Sequence, residues 1–218
     1  MFLLGYLMQS HKPKGFTIIE LLIGLSIVVL LATITVFELG SARRGDELRT
    51  ASRQLTADLR AMQARALSAK NLKTCDTGSA LAVCEFGTAV CGVNPCDQDI
   101  PAAYGVHLVS GTSTYYLFAD LNPPAAVDYH YTDAGEIYQS RTLLPLNGTD
   151  VVVDQIMSSS TVVASVDLSF MRQNGTLRVY DSTTPPESAI VRIRIRHIRS
   201  NDTMELEINR ITGRISIL

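Results

Sequence analysis

No proline falls between residues 14 and 94, and Glu20 is the only charge between residues 16 and 37. The first absence removes the strongest helix breaker from a long N-terminal stretch. The second leaves the run FTIIELLIGLSIVVLLATITVF. As a helix this run reaches about 33 Å, enough to cross a hydrocarbon core of about 30 Å. Catalytic signatures are missing as well. The four histidines, His11, His107, His130 and His197, show no metal-ligand spacing. No glycine-rich loop joins a strand to a helix to cradle phosphate. Asp120, Asp128 and Asp133 cluster near turns, but their order matches no calcium-binding loop, and they read as solvated turn acids. The sequence therefore points to no enzyme, no cofactor and no metal. Cysteine is confined to Cys75, Cys84, Cys91 and Cys96, within 22 residues. Their spacings fit no zinc pattern built on a pair two residues apart. In an oxidising compartment they read as two disulfides stapling a loop, with three pairings open.

What is present is an apolar span with an inverted approach. A secretory signal has a basic start, a short apolar core, and a small-residue cleavage site after that core. Here Lys12, Lys14 and the small Gly15 precede the apolar run. A cut at Gly15-Phe16 removes the charges and leaves the span attached. A carboxylate inside such a span costs about 2.5–3.5 kcal/mol on insertion scales, so Glu20 is a candidate functional group. The order Gly15, Phe16, Thr17-Ile18-Ile19 and Glu20 resembles the prepilin signal of type IV pilins and type II secretion pseudopilins. The resemblance implies cleavage after Gly15 by a prepilin peptidase and N-methylation of Phe16. Leaders of that family are usually short and polar, whereas Met1 to Met8 reads MFLLGYLM. A start at Met8 gives the more ordinary leader MQSHKPKG, with the cut unchanged. The resemblance also gives Glu20 a role in assembly: meeting the new amine of Phe16 on a neighbouring subunit. Removing one partner of such a buried pair strands the other at a cost of about 3–5 kcal/mol. The pair would set axial register more than it adds stability.

Removing 15 residues from 218 leaves 203, room for one membrane helix and one globular domain of ordinary size. Charge is unevenly spread. Residues 38–73 carry eight basic and four acidic groups, residues 74–189 three and thirteen, and residues 190–218 six and three. An acidic body with basic ends argues against global nucleic-acid binding and leaves room for a local basic patch. Lys12 and Lys14 orient the span with the bulk of the chain outside the cytoplasm.

Four segments follow: a leader (1–15), a transmembrane and assembly helix (16–37), an amphipathic continuation (38–71), and an extracytoplasmic β domain (72–218). In the continuation, Leu48, Leu55, Leu59, Met62 and Ala66 fall at helical steps. A coiled-coil dimer seam would show the same stripe, but the small Ala51 and Ala66 suit packing on a sheet. Residues 72–101 read as loop, rich in Gly, Cys and Pro. Strand signals follow at 104–109, 115–119, 151–153, 162–170, 177–180, 190–198, 204–208 and 214–218. Asn174-Gly175 reads as a preferred two-residue hairpin turn, and Asn201-Asp202 as another turn. The expected fold is α+β: a long N-terminal helix, half membrane and half amphipathic, packed on an antiparallel β-sandwich of seven or eight strands.

The second half has its own resemblance. Tyr104-Gly105-Val106, Tyr116 to Asp120, Gly135-Glu136, Phe170 with Asn174-Gly175, and Ile211 to Ile215 resemble the GspH/FimT family of minor pseudopilins, as does the helix end from Leu55 to Ala69. The resemblance implies a structural subunit of a type II secretion pseudopilus or type IV pilus, built into the filament in low copy near its tip. It implies a single-pass protein of the bacterial inner membrane with its β domain in the periplasm, reaching the cell surface in an assembled filament. Its partners would be other pilins, the prepilin peptidase and methylase, an inner-membrane assembly platform, and lipid before assembly. Two other functions remain. Arg192, Arg194, Arg196 and Arg199 line one face of a hairpin, and arginine suits planar phosphate contact, so a DNA-binding minor pilin of a competence pilus is one. On a two-residue turn Arg196 would face Glu207 and Arg194 would face Asn209, leaving a solvated face only partly neutralised. A membrane-tethered β domain with no filament role is the other.

Overall fold

The computed structural model describes residues 15–77, 81–84, 95–121, 129–132, 134–143, 150–172, 174–181 and 189–218. The chain divides into two compact units, Met1–Arg43 and Arg44–Leu218. One helix, α1 (Ile18–Leu67), contributes to both.

In the first unit α1 begins at a proper cap. The Thr17 hydroxyl accepts the Glu20 backbone N–H at 3.3 Å, satisfying one of the donors that a helix start leaves free. Ile18–Thr35 is long and apolar enough to cross a membrane, and none of that window is buried within the protein. Its hydroxyls are already spent on the helix. Ser26 donates to the Ile23 carbonyl at 2.8 Å, Thr33 to that of Leu30 at 2.8 Å, and Thr35 to that of Leu31 at 2.8 Å. Polar groups satisfied within their own segment are tolerated in hydrocarbon.

In the second unit α1 buries the expected stripe. Leu48, Ala51, Leu55, Leu59, Met62 and Ala66 are all buried in the chain's own core. A dimer seam is thereby set aside, because one chain covers the stripe. The helix closes in a Schellman arrangement: Ala69 N–H reaches the Ala66 carbonyl at 3.2 Å and Lys70 N–H the Arg65 carbonyl at 3.2 Å. Ala69 takes the left-handed position usually held by glycine, at φ +45°.

Thirteen strands follow among the described residues, more than the seven or eight expected. β1 (Leu72–Asp76), β2 (Leu81–Val83) and β3 (Asp97–Asp99) form a small antiparallel sheet ordered β2-β1-β3. The segment 72–101 is therefore not simply loop. Its strands are short, and β3 has no apolar residue to announce it. A second sheet is built from β4 (Ala103–Val109), β5 (Thr114–Asp120), β6 (Ile137–Thr142), β9 (Ser165–Met171) and β10 (Leu177–Asp181), ordered β10-β9-β4-β5-β6. A third contains β7 (Val151–Ser158), β8 (Thr161–Val163), β11 (Ile190–His197), β12 (Thr203–Asn209) and β13 (Arg214–Ile217), ordered β13-β12-β11-β7-β8. The inner faces of both five-stranded sheets and the α1 stripe share one hydrophobic cluster.

Three local expectations need correction. Val162 to Phe170 is not one strand. The chain changes sheets at Ala164, whose carbonyl accepts the Ser110 N–H at 2.8 Å, and the inward phase shifts from Val162 to Val163. At Asn174-Gly175 only Gly175 (φ +62°) is left-handed of the two. Gly175 N–H returns to the Met171 carbonyl at 3.0 Å, a wider loop than the two-residue turn. The β11–β12 hairpin likewise turns over residues 198–201, with Asn201 at φ +58° and His197 N–H bonded to the Asp202 carbonyl at 2.9 Å. Partners consequently slip by four positions. An even slip keeps every side chain on its expected face and changes only its neighbour.

Candidate functional site

Gly15, Phe16 and Thr17 precede the helix in non-helical conformation, and no side chain crowds Gly15. Phe16 is 80% exposed. The Gly15-Phe16 bond is thus an accessible peptide bond directly before a capped helix. Glu20 occupies the first turn of α1, where a carboxylate favours the positive end of the helix dipole. It is exposed, as are the apolar side chains around it. An apolar surface of this extent on a soluble monomer marks a membrane or protein contact.

The basic hairpin is placed differently from expectation in register, and that alters its electrostatics. Arg194 lies opposite Glu205 and Arg192 opposite Glu207. Arg194 Nη2 meets Glu205 Oε1 at 2.7 Å, and Arg192 Nε meets Glu207 Oε2 at 3.0 Å. Arg196 Nε reaches Asp154 on β7 at 2.5 Å, and Arg199 Nη2 reaches Asp150 at 3.1 Å. Each of the four arginines therefore has a carboxylate partner. Two of those partners, Asp150 and Asp154, come from β7 or its edge, which the sequence did not align with the hairpin.

Of the cysteines, Cys84 and Cys96 form a disulfide with Cα atoms 6.1 Å apart, and Cys75 is disulfide-bonded. No described cysteine is free. Cys91 lies outside the described residues, as do Asp128 and Asp133. Asp120 is not a solvated turn acid. It is fully buried, and its Oδ2 accepts the Tyr129 N–H at 3.0 Å.

Sequence reading missed the polar layer that surrounds Asp120. Residues 129–132 lie across the outer face of the second sheet. Tyr131 N–H donates to Asp167 Oδ2 at 3.1 Å, and Ser169 donates to the Tyr129 carbonyl. The His107 ring meets Asp167 Oδ1 at 2.5 Å and packs 4.5 Å from the Tyr131 ring. Phe118 stands edge-on to Tyr131 at 5.9 Å. The available signal was alternation in β4 and β5, which turns His107, Tyr116 and Phe118 away from the core. On the inner side, Tyr115 donates to Asp58 Oδ2 of α1 at 2.5 Å. Burial, then the hydrogen bond and charge of Asp58, pushes the Tyr115 phenol well above its ordinary range. These contacts join structural elements. Among the described residues no group of three or more metal-ligating side chains occurs.

A protein-family model described as the prokaryotic N-terminal methylation motif matches residues 10–36. The chain carries a type IV pilin-like prepilin signal. That signal precedes an apolar helix fit for a single-pass membrane anchor and an antiparallel β unit. No curated protein and no solved structure matches the chain.

Proposed function

We propose that this chain is a minor pilin or pseudopilin of the GspH/FimT type, an assembly subunit acting by protein–protein contact without turnover. The observation that carries the reading is the methylation motif at residues 10–36, set on an exposed apolar helix that leads into an antiparallel β domain. Cleavage at Gly15-Phe16 leaves a cation one turn from Glu20. The helix then leaves lipid for neighbouring helices, where the Phe16 amine of one subunit pairs with Glu20 of the next. The β domain stands in the periplasm and caps or primes the assembly. The Cys84–Cys96 disulfide suits that oxidising compartment. Direct DNA contact through Arg192, Arg194, Arg196 and Arg199 draws no support from geometry that pairs each of them with a carboxylate.

Intact-mass measurement of membrane-extracted protein tests the reading. The expected species starts at Phe16 and carries one added methyl group. An unprocessed N-terminus in cells with active prepilin peptidase overturns it.

A further inference from the structure

The outer edge of β13 lies beside a flank of α1 that bears exposed arginines. β13 ends its sheet and, among the described residues, pairs only with β12. Ile215 and Ile217 stand opposite the buried Ile208 and Leu206, so their side chains turn toward the inner face. There they border a groove of about 400 Å³ with Arg53, Thr56, Ala57 and Arg60 of α1. Arg53 and Arg60 are exposed and have no ion-pair partner among the described residues. Ile217 keeps 41% of its surface in water. Free backbone groups along an edge, next to an apolar floor, form a template for another strand.

β3 has the complementary character. It ends the three-stranded sheet, pairs among the described residues only with β1, and reads Asp97-Gln98-Asp99. Alternate residues share a face, so both carboxylates project together. Asp97 has no partner among the described residues, and Asp99 Oδ1 accepts only its neighbour's N–H, from Ile100 at 2.7 Å.

We propose that β3 of one copy of this chain adds to the β13 edge of a second copy. The five-stranded sheet of one then continues into the three-stranded sheet of the next. Asp97 and Asp99, about 7 Å apart along the strand, face Arg53 and Arg60, about 10 Å apart along the helix. The flexible arginine stems span the difference. A polypeptide strand meets both the backbone edge and the arginines, whereas a nucleic acid meets only the arginines. Because donor and acceptor patches differ, the contact is head-to-tail and propagates rather than closes. The inference deepens the assembly reading and rests on it.

Full-length protein in membranes with active prepilin peptidase supplies the test, with a photo-crosslinking benzoylphenylalanine in place of Ile217. The expected product is a dimer whose crosslink maps by mass spectrometry to residues 97–99. Arg53→Glu with Arg60→Glu should lower its yield about fivefold, the scale of one or two cross-strand charge pairs. Adding Asp97→Arg and Asp99→Arg to the same chain should restore it, since the swapped charges again attract. A crosslink to another segment, to a different protein or to DNA overturns the contact, as does failure of the swap to restore the dimer. No dimer in cells where Gly15-Phe16 is cut and methylated overturns the strand contact and leaves the assembly reading standing. An uncut N-terminus overturns both.

Discussion

At the scale of single residues, the second unit is held at points where one atom group has one place to go. Tyr115 is the clearest. Its hydroxyl donates to Asp58 Oδ2 at 2.5 Å, tying β5 to α1, and its acidity is suppressed chiefly by burial. The folded phenol keeps a proton that the unfolded chain releases above about pH 10. This contribution to stability is complete below that pH and is lost as pH rises beyond it. Tyr115→Phe should cost about 1.5–3 kcal/mol at neutral pH, the range for a hydrogen bond to a charged group. The difference between wild type and variant should shrink between pH 8 and pH 11 in thermal unfolding of detergent-solubilised protein. Gly105 is a second such point. A Cβ there would lie 2.4 Å from Phe118 Cζ and 2.9 Å from the Leu168 carbonyl oxygen. The ring can turn, but the carbonyl belongs to a paired strand and cannot. Gly105→Ala should therefore destabilise by about 1–3 kcal/mol, as overpacking does, read as a lowered unfolding midpoint. Phe118→Leu should recover only part of that loss.

At the scale of elements, the end of α1 and the small sheet invite opposite changes. Ala69 holds a left-handed conformation at the helix end, φ +45°, which costs an L-residue about 1–2 kcal/mol. Glycine takes that conformation freely but returns part of the gain as unfolded-state entropy. Ala69→Gly should therefore stabilise by about 0.5–1 kcal/mol, a rise in the denaturation midpoint without change in slope. The small sheet is different: Leu72 and Val83 reach the main cluster, but Cys75 and Ala82 on its other face form a separate small one. The Cys84–Cys96 disulfide closes 12 positions of chain there, a loop length for which a bridge contributes about 3 kcal/mol. Reduction should speed amide exchange in Leu81–Val83 and Asp97–Asp99. Exchange in β11 and in the Leu48–Ala66 part of α1 should stay slow, since their contacts lie in the main cluster.

At the scale of the whole molecule, the assembly role proposed for Glu20 can be tested apart from membrane insertion. Glu20→Val removes a costly charge from the span, so insertion should be unchanged or improved. On the proposed pairing, incorporation into filaments should fall well below that of wild type when both are expressed together, because the neighbouring amine would lose its partner. Equal incorporation of the two would show that the amine does not depend on Glu20.

The sequence by itself determined the helix, its apolar first half, the prepilin-like motif and the general run of strands. Each is written in near-neighbour chemistry: the uninterrupted stretch before Pro95, the order Gly15-Phe16 through Glu20, and alternation such as Val191, Ile193 and Ile195. Even the outward face of the arginines was legible, since side-chain parity along a strand survives an even register slip. Only the tertiary structure decided which acids the arginines meet, because Asp154 of β7 and Asp150 just before it lie 42 and 49 positions earlier in the chain than their partners Arg196 and Arg199. It also decided that Asp120 is buried under Tyr129, that Ala164 marks a change of sheet, and that short polar strands such as β3 pair at all. Those outcomes depend on what lies across a sheet or above it. Strand pairing and burial are free-energy gains between distant segments, and local periodicity carries no record of the partner.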